Sequence, residues 1–275
     1  MGSIRNWPIE VSLLEDWRRI NDPETRRTIQ NRLNKRAHRC RQRARKAQAR
    51  SAVPKLDPVS PPLNLAKLDG FPLYIVGPGA TETPRTLRFL EAAMHAEFAK
   101  GSLRTELLLS LTRLNIVRAL HANLGIIGYI PTEMHDDAVS VFCMAGTPDQ
   151  DAAILPPALQ PTALQRSIPH HPWLDLIPIS QMRDNLIQAG DTFDDWQLCH
   201  DLCGHRSPDH HASKGKEETG VIVWKDPWDP SGWEVTPTFL QNWGWVVRDC
   251  WGLFASTNMW RAQRGEAPLF RLPPG

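Results

Sequence analysis

Asn31, Asn34, Lys35, His38 and Arg39 stand at positions i, i+3, i+4, i+7 and i+8, a spacing that shares one stripe of an α-helix. All five are polar, so the stripe is wrong for a protein core and right for a surface that meets a polar partner. An asparagine amide pairs with base edges, and the planar arginine fork grips guanine or phosphate. Arg32, Arg36, Arg41, Arg43 and Arg45 flank the stripe within reach of neighbouring phosphates. The chemistry that these residue types support at this spacing is contact with double-stranded DNA.

The charge distribution points the same way. A net charge of +2 over 275 residues hides a division. Residues 1–55 hold 15 Lys/Arg against 5 Asp/Glu, a net of +10, and the rest of the chain holds 17 against 25, a net of −8. A basic arm on an acidic body marks the arm as the part that meets a nucleic acid or another anionic surface; a solvated polybasic tail is the plainer alternative. Local signals favour a helix. Asp22 suits the N-cap, Pro23 the first helical position and Glu24 the positive end of the helix dipole, and no Gly or Pro follows until Pro54. A helix from Pro23 to Ser51 would be about 43 Å long, enough to lie along a major groove. Its like charges should keep it largely unfolded until phosphates neutralise them, which couples folding to binding.

The stretch QNRLNKRAHRCR resembles the basic region of bZIP transcription factors, whose pattern is an Asn followed eight residues later by an Arg, here Asn31 and Arg39. It is most similar to the basic regions of fungal bZIP-like proteins. The resemblance implies that Asn31 contacts base edges and Arg39 a base or the backbone. Where most bZIP proteins carry Ala, a second small residue or Gln, and Ser, Cys or Phe, this chain has Asn34, Lys35 and His38, so no preferred DNA sequence transfers with the likeness.

The zipper that should follow is broken. Its first three leucine positions correspond to Ala49, Leu56 and Leu63. Pro54, Pro58, Pro61 and Pro62 fall among them, and each costs about 3 kcal/mol in a helix interior. SAVPKLDPVSPP therefore reads as a linker, and a coiled coil, which needs three or four sustained heptads, is excluded there. A lone basic helix meets only a half-site and draws most of its affinity from phosphate neutralisation. Specific binding then needs a homo- or heterodimer partner engaged through the C-terminal domain.

The sequence predicts a mainly α protein. Its expected organisation is an N-terminal arm over 1–21, a basic helix over 22–53, a Pro-rich linker over 54–65 and a helical domain over 66–270. A long Pro-rich connection is expected near 146–170, and at most a short strand near 220–224. TELLLSLTRLNIVRALHANLGIIGYI places Leu107, Leu111, Leu114, Val117, Leu120, Leu124 and Ile127 at three- and four-residue steps, and RTLRFLEAAMHAEFA is a second amphipathic helix. Thr236 and Pro237 suit the N-cap and first position of a helix running to about Arg264. The 11 Trp residues are expected to supply core area, each indole N–H finding a partner. No run of about twenty uncharged apolar residues occurs, so no membrane contact is expected.

HPWLDLIP, QMRDNLI, DPWDPSGWEVT, FLQNWGW and STNMWRAQRGE, with the helix around LTRLNIVRAL, resemble a domain of unknown activity that accompanies bZIP-type basic regions in filamentous-fungal proteins. That likeness implies a nuclear DNA-binding regulator of transcription, associated in some members with secondary-metabolite genes. It implies no cofactor and no reaction.

Other residues carry the types that catalysis or metal binding would need. Asp226, Asp229 and Glu234 beside Trp228 and Trp233 could form a glycosidase-like carboxylate pair, although Asp-Pro twice in five residues marks turns. GPGA at 77–80 lacks the Gly-Lys of a P-loop, and no Gly-x-Ser-x-Gly elbow is present. CHDLCGHRSPDHH offers Cys199, His200, Cys203, His205, His210 and His211 as zinc donors, at a spacing that fits neither paired C-x-x-C sites nor a finger, so no metal is expected. The plainer reading of that stretch is a helix burying Cys199 and Leu202, then a His-rich loop. Five cysteines with no secretory signal suit free thiols in a reducing compartment, and Cys40 between Arg39 and Arg41 is biased toward thiolate. A nuclear adaptor that uses the basic arm only for import is the first alternative from another class, and an enzyme of unknown reaction using the Trp-rich C-terminal domain is the second.

Overall fold

The computed structural model describes residues 75, 78–101, 105–135, 138–143, 154–203 and 220–273. Apart from Ala138, these fall within one compact unit spanning Leu56–His135 and Val139–Gly275. Among the described residues the unit is mainly helical with one small sheet, as the sequence predicts. The basic helix, the arm before it and the linker lie outside the described residues.

Helices α1 (Thr83–Ala99) and α2 (Thr105–Ile127) are the two amphipathic segments read from the sequence. On α1, Leu87, Leu90 and Met94 form one buried stripe, and Gly101, at φ 72°, takes the left-handed turn that ends it. On α2, Leu114, Ile116, Val117, Ala119, Leu120, Asn123 and Leu124 are all buried, so this stretch is covered on most sides and forms the spine of the core. Arg118 alone among residues 116–120 reaches solvent, where it meets Glu91 of α1 at 3.2 Å. No helix among the described residues is long and apolar enough to cross a membrane.

The part of the Pro-rich stretch that is described, from Ile154 on, is more regular than a connection. A 3-10 turn at Pro157–Leu159 leads to α3 (Ala163–Ser167). Thr162 and Gln165 cap α3 reciprocally, the Thr hydroxyl accepting from the Gln backbone and the Gln side chain from the Thr backbone. The T-x-x-Q signature was legible, but the surrounding prolines masked it. A 3-10 turn at Pro172–Leu176 follows, then α4 (Ser180–Ala189), which buries Met182, Arg183, Leu186 and Ile187, and α5 (Asp195–Leu202).

Strand β1 (Val221–Val223) is the short strand expected near 220–224; its partner β2 (Trp233–Val235) was not foreseen. They pair antiparallel, Ile222 opposite Glu234. Within the turn the chain doubles back so closely that a Cβ on Gly232 would lie 2.7 Å from the Lys225 Cβ. A two-stranded hairpin is marginal alone. Here helix α7 (Trp251–Gln263) takes the place of a third strand: Thr257 Oγ1 accepts from Val235 N at 3.1 Å, and Ser256 donates to Trp233 O at 2.7 Å.

Thr236 does cap a helix with Pro237 in its first turn, but that helix, α6, stops at Trp243 instead of continuing to Arg264. Residues 244–249 form turns that bury Val246 and Val247, and Asp249 adopts φ 60°, a left-handed conformation that an α-helix cannot pass through. The second half of the expected helix is α7, and Arg264 is its C-cap.

Candidate functional site

The residues assigned to DNA contact, Asn31, Arg32, Asn34, Lys35, Arg36, His38, Arg39, Arg41 and Arg43, lie outside the described residues, as does Cys40. The described part of the chain concentrates its polar chemistry at three places.

The first centres on Asp175, which the turn Pro172–Leu176 holds fully buried between Leu174 and Leu176. Its Oδ2 accepts from the Tyr129 hydroxyl at 2.5 Å and from Ser140 at 2.7 Å. Oδ1 accepts from the Gln165 amide at 2.6 Å and lies 2.8 Å from His170 Nε2. The other side of Gln165 accepts from Arg183 Nε at 2.8 Å. The Arg183 guanidinium, itself fully buried, spends its remaining donors on the carbonyls of Ala158, Ile177 and Gln160 at 2.7–2.8 Å. A buried anion and a buried cation are thus joined through one neutral amide, which is how charges persist in a core. Burial lowers the Arg183 pKa to about 10, against the pull of Asp175 and Asp184, leaving it charged at neutral pH.

Cys143, His170 and Asp175 are the residue types of a nucleophilic triad, but their geometry is not one. His170 Nδ1 lies 2.7 Å from Ile168 O and Nε2 faces Asp175, so neither nitrogen is turned to the thiol. Cys143 donates to Ser140 O instead, and burial pushes its pKa up to about 11. The cluster is built to hold segments together. One consequence is measurable at alkaline pH. Burial first, then Asp175, holds the Tyr129 hydroxyl well above its usual 10.0. Because its folded pKa is raised, its contribution to stability is complete below pH 10.0 and falls away as pH rises beyond it. Of the chain's two tyrosines, Tyr129 is therefore expected to ionise only as near-UV dichroism is lost, a step that Tyr129→Phe removes; tyrosinate absorbance from both groups at about pH 10 with the dichroism intact would refute this.

The second place is the turn between β1 and β2. Trp224 stacks on Trp260 of α7 at 5.4 Å and 22°. Lys225 Nζ lies over the Trp260 ring and the Arg264 guanidinium over Trp224. Glu234 is buried and doubly bound by Arg264, at 2.5 and 2.9 Å, while Trp224 Nε1 donates to it at 2.8 Å. Asp229 caps the 3-10 turn at Pro230–Gly232, and its hydrogen bond from Ser231 holds its pKa below the usual carboxylate range. Of the glycosidase-like set, Glu234 is held by Arg264, Asp229 caps a turn, Trp233 is buried with its indole N–H on Pro227 O, and Asp226 and Trp228 are exposed.

The expectation that tryptophan mainly fills the core needs correction. Trp233 and Trp243 are buried, but Trp224, Trp228 and Trp251 are exposed. Their neighbours explain this: the hairpin turn and α7 sit at the surface of the unit. Indole N–H partners are in place, Pro227 O for Trp233, Asp201 for Trp243 and Ser231 O for Trp260.

The third place is α5, where the Cys199 and Cys203 thiols, one helical turn apart, hydrogen-bond each other; that bond draws Cys199 below the usual thiol range and raises Cys203. Leu202 and Cys203 are buried and Cys199 is half-buried. Cys143, Cys199, Cys203 and Cys250 are all free thiols. His205, His210 and His211 lie outside the described residues, and among the described residues no three donors are grouped to hold a metal.

Residues 139–253 match the domain of unknown function DUF3425. This domain family is known in fungal bZIP-type factors. No curated protein and no solved structure matches the chain. The DUF3425 stretch contains Ser140, Gln165, His170, Asp175 and Arg183, so most of the buried network belongs to it. The signal for that network was an Asp inside the apolar run HPWLDLIP and an Arg inside QMRDNLI, charges that a buried segment tolerates only when paired.

Proposed function

We propose that the chain is a sequence-specific, DNA-binding transcription regulator of bZIP type that acts in the nucleus without a complete leucine zipper. One observation carries the reading: a basic stretch with Asn31 and Arg39 eight residues apart stands in the same chain as a DUF3425 domain. The basic helix over 22–53 reads double-stranded DNA, and the C-terminal domain supplies the partner contact that the prolines deny to a zipper. Secondary-metabolite genes are the targets that the likeness to filamentous-fungal proteins suggests. The reading assigns the chain no reaction, cofactor or membrane contact.

Selection of full-length protein on a random duplex library, at about 0.15 M salt, tests it. An enriched motif is the expected result, and a palindromic one would report a dimer. The prolines at 54, 58, 61 and 62 favour one second reading, a nuclear adaptor whose basic arm directs import. Failure to enrich any motif would sink the regulator and leave the adaptor.

A further inference from the structure

Helix α5 ends on two cysteines that neither the Asp175 network nor the hairpin turn uses. Cys199 and Cys203 stand one turn apart, and the Cys203 N–H donates to the Cys199 carbonyl at 3.1 Å, so the turn between them is closed as α-helix. Two Cα atoms at that spacing lie about 6.2 Å apart, inside the roughly 4.4–6.8 Å that a disulfide spans. The thiols already face each other, the Cys203 S–H donating to the Cys199 sulfur. Cys199 is half-buried at the edge of the core and Cys203 is buried behind it.

The other two described thiols are spent on carbonyls. Cys143 donates to Ser140 O at 3.0 Å and Cys250 to Arg248 O at 3.6 Å. Burial pushes the first up to about 11 and the second to about 12. Both therefore stay protonated at neutral pH, and a protonated thiol is a poor nucleophile. Cys199 differs on both counts: its neighbour's S–H draws it below the usual thiol range, and a second sulfur waits one turn away. A thiol biased toward its anion, with a resolving thiol beside it, is the arrangement of a redox-responsive pair.

We propose that Cys199 and Cys203 form a peroxide-responsive modification site that closes reversibly to a disulfide within α5. The Cys199 thiolate attacks one oxygen of hydrogen peroxide; an S–O bond forms, the O–O bond breaks, and the departing hydroxide takes a proton to leave as water. The Cys203 sulfur then attacks the Cys199 sulfur, giving up its proton as the S–S bond forms and the second oxygen leaves as water. Two thiols lose two electrons and two protons, and one peroxide is reduced to two waters. The bond locks the turn whose Asp201 holds the Trp243 indole at 2.7 Å. None of this depends on whether the chain binds DNA.

Brief exposure of the folded full-length protein to hydrogen peroxide at neutral pH, followed by alkylation, trypsin digestion and mass spectrometry, tests this. The peptide Asp184–Arg206 carries both cysteines. It should lose two hydrogens, resist alkylation and recover both thiols in dithiothreitol, at a rate at least about tenfold above the oxidation of Cys143 or Cys250. Cys203→Ser keeps an O–H donor but removes the second sulfur, so Cys199 should stop at the sulfenic acid and take up dimedone. Cys199→Ser should leave Cys203 unlabelled. Far-UV dichroism checks that the variants fold, and the wild-type peptide map needs no variant. Thiols that alkylate fully after peroxide, oxidation no faster than at Cys143 and Cys250, oxygen gained without a disulfide, or a folded Cys203→Ser chain that takes up no dimedone would each overturn the proposal.

Discussion

Asp175→Ala is expected to destabilise the domain by about 3–5 kcal/mol, the range for removing one member of a buried charged network. The size follows from what is left behind. Tyr129, Ser140, Gln165 and His170 all aim polar atoms at this carboxylate from buried positions. Each would lose its acceptor without gaining water. Arg183 would lose the carboxylate that most favours its charged form while remaining buried. Against a total stability of about 5–15 kcal/mol for a domain, such a loss removes from about a fifth of it to all of it. Asp175→Asn keeps the shape and one acceptor but turns an amide NH₂ toward donors, so a smaller loss of about 2–3 kcal/mol is expected. Urea unfolding followed by fluorescence measures both. The exposed pair Arg118–Glu91 is the control, since Glu91→Ala should change stability by less than about 1 kcal/mol. An Asp175→Ala variant as stable as that control would show that the network is not what holds these segments.

Asn31→Ala and Arg39→Ala should each erase discrimination between the selected duplex and a scrambled one. A base-edge contact is worth about 1–3 kcal/mol of discrimination, which at about 1.4 kcal/mol per decade is roughly 5- to 150-fold. Arg45→Ala should behave differently: it would weaken binding to every sequence and reduce the slope of log affinity against log salt by about 1. Fluorescence anisotropy across a salt series separates the two patterns. Affinity that does not respond to salt, or discrimination that survives loss of Asn31, would contradict a bZIP-type contact.

The helical elements were legible because their signals are local. The stripe Leu114, Val117, Leu120, Leu124 announces α2 through its period, and Thr236 with Pro237 announces the start of α6 through capping chemistry. The break after Trp243 was not legible, because the apolar run NWGWVVRDCW continues through it and nothing in its period marks the left-handed Asp249. Strand β2 was hidden for another reason. Three residues are too few for an alternation to show, and what stabilises them is Ser256 and Thr257, more than twenty residues away. The same holds for the buried network. An Asp within an apolar run announces that a partner exists, but Tyr129 lies 46 residues from Asp175 and no spacing names it. As for function, the polar stripe at residues 31–39 was drawn from its own side-chain period, a signal that needs no fold to be seen.

Asn123 donates to two carbonyls at 2.9 Å, Leu176 O and Pro227 O, which are separated by 51 positions along the chain. One amide on α2 thereby fastens the turn beneath Asp175 to the hairpin turn. It stands upstream of the residues that match DUF3425, as does Tyr129, while Ser256 and Thr257 stand downstream. The recognisable stretch is therefore shorter than the piece of chain that must fold together. A fragment trimmed to 139–253 would be cut from its own fastenings at both ends, and boundaries for expression or domain-swap experiments belong outside α1 and α7.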